Sequence, residues 1–315
     1  MKEFELIELL TRSLPANDSV VLGAGDDCAV LDLGLREDFV LLKTDAVVEG
    51  VHFTSATERE KIGHKALGRC LSDIAAMGGT PSAAVITVGL PSGYNAEEIN
   101  SIYDGLRKLA TRYNVAIVGG ETTQAPSGLF LSVAVIGRVS KSRCIRRAGA
   151  KAGDAIFVTG ELGGSLGGRH LEFEPRVEQG RWLAEHFAIH AMIDISDGLA
   201  GDLRHLLRAG DVGAELFTRS IPISRAAKLQ AKTESSAKPP LLAALTDGED
   251  FELLFTLPSA SAVPLLDAWK QQFPAIKLSC IGKITKGQGL KLRDAQGLRD
   301  FSGTGYEHFS KKPVS

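Results

Sequence analysis

The sequence predicts a mixed α+β and α/β fold in two domains, and three observations carry that expectation. Short apolar, β-branched runs of strand length recur along the 315 residues, each closed by Gly, Pro or Asp. Stretches with helical periodicity lie between some of them, an irregular alternation that suits helices laid over a sheet. One basic, turn-rich segment, GRVSKSRCIRRAGAKAGD at 137–154, separates two strand-like runs and divides the chain near residue 145, into 1–145 and 146–315.

In chain order, MKEFELIELLTRSL has an acid at Glu3 and no long apolar stretch, which predicts a short amphipathic helix and not a secretion signal. Strands are expected at 38–48 (DFVLLKTDAVV), 83–90, 114–120, 129–139, 154–160, 191–196 and 251–257. Helices are expected at 62–79, 95–114 and 196–210, where apolar residues recur with a period near 3.6. The stretch AKTESSAKPP at 231–240 reads as a surface loop.

A hydrophobic content of 44% is enough for a sizeable core. With 36 basic and 38 acidic residues the net charge is −2, which gives no electrostatic reason for nucleic acid or an anionic membrane as partner; a small molecule is expected instead. No apolar run approaches the roughly 20 residues that span a bilayer. Cys28, Cys70, Cys144 and Cys280 lie far apart with no CxxC pair, which argues against zinc or a disulfide framework and for a cytoplasmic setting.

The acidic residues carry the chemistry. Asp26 and Asp27 follow a glycine turn in GAGDD, Asp45 interrupts an apolar run, Asp73 lies in LSDIAAMGG, Glu121 follows VGG, and Asp194 and Asp197 frame DISDG. Each alone also reads as a cap or turn former. Together they read as ligands of a shared cation, because a carboxylate at a buried strand end costs several kcal/mol unless it is paired or coordinating. Magnesium accepts such scattered oxygen ligands and bridges nucleotide phosphates. Glycines beside these acids, in GAGDD, VGGET, TGELGGSLGG and TDGED, allow backbone N–H groups to approach phosphate.

Walker A and protein-kinase signatures are absent, and TGELGGSLGG has the wrong spacing for a dinucleotide fingerprint. His186 and His190 stand four apart without a third ligand and read as helix-surface residues. Arg143, Arg146 and Arg147 read either as a phosphate-holding cluster or as a solvated connector. Trp182 and Trp269 read as packing residues.

Eight ordered blocks resemble the thiamine-monophosphate kinase family, within the superfamily of aminoimidazole ribonucleotide synthetase and selenophosphate synthetase. They are GAGDDCAVL (23–31), KTDAVVEGVHF (43–53), IGHKALGRCLSDIAAMGGTP (62–81), VGGETT (118–123), RAGAKAGDAIFVTGELGGS (147–165), DISDGLAGDL (194–203), DGEDFELLFT (247–256) and GYEHF (305–309). The resemblance implies an N-terminal sheet that joins a partner's sheet in a homodimer barrel, with a C-terminal α/β domain over the nucleotide. It implies ATP and Mg2+ as cofactors, thiamine monophosphate as acceptor, and direct in-line transfer. It places Mg2+ on Asp27, Asp45, Asp73, Asp194 and Asp197, with Asp73 and Asp197 catalytic. It places the nucleotide against Asp27, Thr44, Gly119, Gly120, Glu121, Arg147 and Ser196, and the acceptor against His52, Asp250 and Tyr306.

The chain departs from the family pattern in three places. The segment after Gly164-Ser165 is shortened, and Glu172 and Phe173 replace a basic RHLRP-like motif that could hold an acceptor phosphate. Arg69-Cys70 precedes the LSD motif where relatives often have Asn, and Tyr306 stands where some carry Trp. The shortened segment leaves open a sister kinase with another phosphorylated acceptor. A nucleotide-binding dimer without catalysis is the remaining alternative, and the retained aspartates speak against it.

Overall fold

Alternation along one strand sets the architecture of the N-terminal half. In β3 (Asp38–Val48), Leu41 and Val47 are buried on the inner face, whereas Leu42, Thr44, Ala46 and Val48 are exposed on the outer one. The computed structural model describes residues 3–94, 96–303 and 305. Tyr306 lies outside the described residues.

Around β3 the chain builds a six-stranded sheet from β1 (Val20–Leu22), β2 (Ala29–Leu31), β4 (Thr80–Leu90), β5 (Ala116–Gln124) and β6 (Phe130–Ser140). The spatial order is β1-β2-β3-β6-β4-β5, antiparallel except for the β4/β5 pair. Helix α1 (Glu3–Thr11) precedes it, and α2 (Arg59–Ala76) and α3 (Ala96–Arg112) connect its strands. The two helices meet backbone to backbone: a Cβ on Gly63 would lie 1.9 Å from the Ile102 carbonyl oxygen, and one on Gly105 1.8 Å from that of Glu60.

The second sheet has seven strands, β7 (Asp154–Thr159), β8 (Ala191–Asp194), β9 (Gly213–Phe217), β10 (Leu253–Pro258), β11 (Leu278–Thr285), β12 (Gly289–Asp294) and β13 (Gly297–Asp300). Their order is β13-β12-β9-β11-β7-β10-β8. Five helices accompany them: α4 (Val177–His186), α5 (Leu199–Gly210), α6 (Arg225–Thr233), α7 (Pro240–Thr246) and α8 (Ala262–Gln272). Along β7, Phe157 joins the same apolar cluster as α2 and the N-terminal sheet, while Ile156 and Val158 join a second cluster with α5. One apolar cluster therefore spans both halves of the chain, and a second lies within the C-terminal half.

Every strand and helix expected from the sequence is present, within a few residues at each end. The three-residue β1 and β2, strands β9, β11, β12 and β13, and helices α4, α6, α7 and α8 lie outside those expectations, because short strands and Lys- or Pro-bearing segments carry little periodic signal. The loop at 231–240 shrinks to 234–239, since α6 ends at Thr233 and α7 starts on Pro240. Trp182 and Trp269 pack edge to face at 5.9 Å within an aromatic cluster, and His190 sits 2.8 Å from Asp154 and forms no pair with His186. Among the described residues no helix is long and apolar enough to cross a membrane.

The α2/α3 contact leaves no room for a methyl group. Gly63→Ala or Gly105→Ala is expected to destabilise the chain by about 2 kcal/mol or more through overpacking. Urea unfolding measures it, and an unchanged midpoint would contradict the close crossing.

Candidate active site

Helix α2 is almost wholly buried, yet it carries Lys65, Arg69, Ser72 and Asp73. At spacings of three and four residues these side chains fall on one face. That polar stripe meets two other elements. From β3, Lys43 and Asp45 point to the inner face with Leu41 and Val47. From the C-terminal sheet, β8 ends at Asp194 and leads into the Ser196-Asp197-Gly198 turn that starts α5. Gly198, with φ of 106°, adopts a conformation that side-chain-bearing residues avoid.

Asp27, Asp73 and Asp194 converge there, with one oxygen of each within 4.8 Å of the others, all three buried. The chain's own cations and donors offset the repulsion. Lys43 Nζ lies 2.9 Å from Asp73, Arg147 donates to Asp27 Oδ1 through Nη2 at 2.6 Å and Nε at 3.2 Å, and the Ser72 hydroxyl donates to Asp194 at 2.6 Å. The second Asp27 oxygen, Oδ2, is buried without a partner. Burial raises the Asp73 carboxyl well above the usual range, with Lys43 opposing. Burial and the neighbouring Asp27 push Asp194 up to about 7. Asp26, whose carboxylate accepts the Arg147 backbone N–H, is pushed up to about 6 by burial and by Asp27.

Beside this cluster opens a cavity of about 130 Å³ lined by Val51, His52, Arg69, Leu166, Ser196, Asp197, Gly248, Glu249 and Phe251. Its floor is laced across two segments, the Glu249 N–H donating to Ser196 O at 2.7 Å and the Phe251 N–H to Ile195 O at 2.8 Å. Glu249 and Phe251 adopt positive φ, 63° and 50°, strain of the kind that surrounding contacts must hold in place. Lys65 supplies such contacts: its Nζ, fully buried, donates to Glu249 at 2.7 Å and to the His52 carbonyl at 2.7 Å, and lies 2.8 Å from His170 Nδ1. Burial would raise the Glu249 carboxyl, but His170, Lys65 and Arg69 hold it down to about 2.

Of the expected site residues, Asp27, Asp73, Asp194 and Arg147 thus meet in one cluster. Asp45 joins its margin, 3.6 Å from Arg69, and His52, Ser196 and Asp197 line the adjoining cavity. Others stand apart within this chain. Thr44 lies on the outer sheet face near Ser132, because adjacent residues of a strand point to opposite sides. Gly119, Gly120 and Glu121 occupy edge strand β5; Gly120 pairs with Ile86, Ile86 with Val133, and Val133 with Asp45. Three strand spacings, roughly 14 Å, therefore separate Gly120 from Asp45. Asp250 turns away from the cavity and accepts from the Gly163 N–H and from Arg169, while its neighbour Glu249 faces in.

Four residues escaped the sequence reading: Lys43, Lys65, Asp202 and Glu249. Asp202, in the first turn of α5, accepts the Asp197 N–H at 3.0 Å, and burial together with Asp197 and Asp194 raises its carboxyl well above the usual range. The signal available was the spacing of Lys65, Arg69 and Asp73 at i, i+4 and i+8 around the otherwise apolar stretch 66–71. Glu172, whose acidity bore on the acceptor, is largely exposed and pairs with Lys61 at 2.9 Å. Phe173 is buried, stacked on Phe251 at 3.9 Å between ring centres.

Carboxyls raised in the folded state hold protons that the unfolded chain has lost, so stability falls as pH rises from their ordinary range toward 7. His205, pushed down to about 4 by burial and by Arg147, acts in the opposite direction below its usual 6.5. In chelator, the melting temperature is therefore expected to fall between about pH 6.5 and 7.5. Asp194→Asn should flatten that slope, and a rise over this window in the unaltered chain would contradict the assignment.

Comparison with known proteins adds lineage to this geometry. The family described as AIR synthase related protein, N-terminal domain, matches residues 25–139, and its C-terminal domain counterpart matches 168–295. The thiamine-monophosphate kinase of Rhodopirellula baltica is 41% identical over 90% of this chain and 89% of its own length. That of Bacillus subtilis is 33% identical over 98% and 100%. Among solved structures, AaThiL complexed with AMPPCP and TMP superposes with a TM-score of 0.82 at 29% identity, covering 98% of this chain and 97% of its own. The crystal structure of thiamine-monophosphate kinase from Stenotrophomonas maltophilia gives 0.73 at 32%, covering 92% and 96%.

Proposed function

The chain belongs to the thiamine-monophosphate kinases among the AIR synthase related proteins, and from that premise we propose that it transfers the γ-phosphoryl group of ATP to thiamine monophosphate, giving thiamine diphosphate and ADP, in one in-line step with Mg2+. The observation that carries the proposal is the convergence of buried Asp27, Asp73 and Asp194 beside a cavity walled by Ser196 and Asp197.

The donors suit a hard cation: all are carboxylate oxygens, and Asp27 Oδ2 has no other partner. Asp27, Asp45, Asp73, Asp194 and Asp197 would hold the ions. Bound Mg2+ would neutralise charge on the β- and γ-phosphates. Lys43 and Arg147 sit on Asp73 and Asp27, and with those carboxylates engaged by bound ions the two side chains would be available to phosphate oxygens. The nucleophile is an oxygen of the acceptor's phosphate monoester, whose second pKa near 6 leaves it anionic at neutral pH. It forms the new P–O bond while the bond between the γ-phosphorus and the bridging oxygen breaks, and that oxygen leaves with the electron pair on ADP. The chain's task is alignment, which falls to Asp73 on the rigid α2 and Asp197 at the α5 turn.

The reading includes a homodimer working in the cytoplasm. The outer face of the N-terminal sheet presents Leu42, Val48, Val85 and Ile136, between 38% and 44% exposed, and Val118 on edge strand β5 is 65% exposed. A second copy laid over this face would bury apolar surface of the kind that marks interfaces. It would also bring Gly119, Gly120 and Glu121 toward a nucleotide on the other subunit.

ADP formation should require both Mg2+ and thiamine monophosphate. Asp73→Asn and Asp197→Asn are each expected to lower kcat about a hundredfold or more. A protein that bound MgATP yet never turned over thiamine monophosphate would overturn the assignment. Ile136→Arg, placing charge in the sheet face, is expected to shift the sedimentation coefficient from dimer to monomer; a monomeric unaltered chain would remove the dimer from the reading.

A further inference from the structure

Among the residues that line the cavity, Arg69 is the one with a permanent positive charge. It projects from the polar stripe of α2, and its side chain is only 15% exposed. The other buried cations of the site are closely held: Lys43 at 2.9 Å from Asp73, Lys65 at 2.7 Å from Glu249, Arg147 at 2.6 Å from Asp27. Arg69 forms only longer ion pairs with its neighbours. Asp45 and Glu249 each stand 3.6 Å from its guanidinium, beyond hydrogen-bond length, and its Nε is buried with no acceptor. A buried donor without an acceptor calls for one.

We propose that Arg69 grips the phosphate of the acceptor and thereby selects a phosphorylated acceptor over the corresponding alcohol, an inference that rests on the kinase reading above. The planar guanidinium fork presents parallel N–H donors that match two oxygens of a phosphate, and a phosphate supplies the acceptor that Nε lacks. The carboxylates nearby do not repel the incoming anion at full strength. Glu249 is paired with Lys65 at 2.7 Å, and Asp45 shares the field of Lys43. Val51, Leu166 and Phe251 in the same lining offer apolar surface for the rings that the phosphate tethers. Arg69 thus supplies, from α2, the cation that Glu172 does not, since Glu172 pairs with Lys61 at the surface.

Calorimetric titration with thiamine monophosphate, thiamine and an ATP analogue tests this on the unaltered chain, Arg69→Gln and Arg69→Lys, alongside steady-state kinetics. Arg69→Gln is expected to weaken thiamine monophosphate binding and raise its KM by about fiftyfold or more, with the KM for ATP and the affinity for thiamine within about twofold. Arg69→Lys, which keeps the charge and loses the fork, should recover part of the loss. Unchanged affinity for thiamine monophosphate in Arg69→Gln, or equal weakening towards ATP, would overturn the proposal and reduce Arg69 to a structural counter-ion. If Arg69→Gln fails to fold, the same comparison on Arg69→Lys decides between these outcomes. Failure of the unaltered chain to bind thiamine monophosphate would instead sink the kinase reading itself.

Discussion

Three carboxylates held within 4.8 Å of one another and away from water are the constraint around which the rest of the site is arranged. Burial penalises each charge and proximity adds repulsion, so the arrangement persists only because cations and donors answer it from all sides. Lys43 faces Asp73, Arg147 faces Asp27, and the Ser72 hydroxyl caps Asp194. A divalent ion would do the same work with greater charge in less space. The unpartnered oxygen of Asp27 marks where the protein's own groups stop short.

The fold makes that convergence possible by joining its halves through a shared apolar cluster. Asp27, Asp45 and Asp73 come from the N-terminal half, Asp194, Asp197 and Asp202 from the C-terminal half, and Phe157 and Phe255 pack against the cluster that contains α2. Helix α2 joins the two halves: its apolar residues anchor it to both sheets while its polar stripe faces the acids. Lys65 then locks the strained Glu249 and the His52 loop to the same helix.

Much of this was legible in the chain itself. Acidic residues that interrupt or end apolar runs, such as Asp45 and Asp194, announce themselves because hydrophobic neighbours make their burial plain. Lys43 and Lys65 do not, since a lysine beside an acid or within a helix normally reads as a solvated face. Glu249 lost out to Asp250 because a one-residue difference in facing follows from the positive φ at Glu249 and Phe251, which composition does not signal. The displacement of Gly119 to Glu121 onto an edge strand likewise depends on strand order, which no local pattern encodes.

A carboxylate cluster of this kind is expected to hold divalent metal against the nucleotide. Crystals grown with Mn2+ and a non-hydrolysable ATP analogue, with data collected at the manganese edge, would show whether it does. An anomalous peak bounded by Asp27, Asp73 and Asp194, with Lys43 and Arg147 displaced toward the phosphates, is the expected result. Nucleotide density with no metal between those side chains, or metal bound elsewhere, would contradict it.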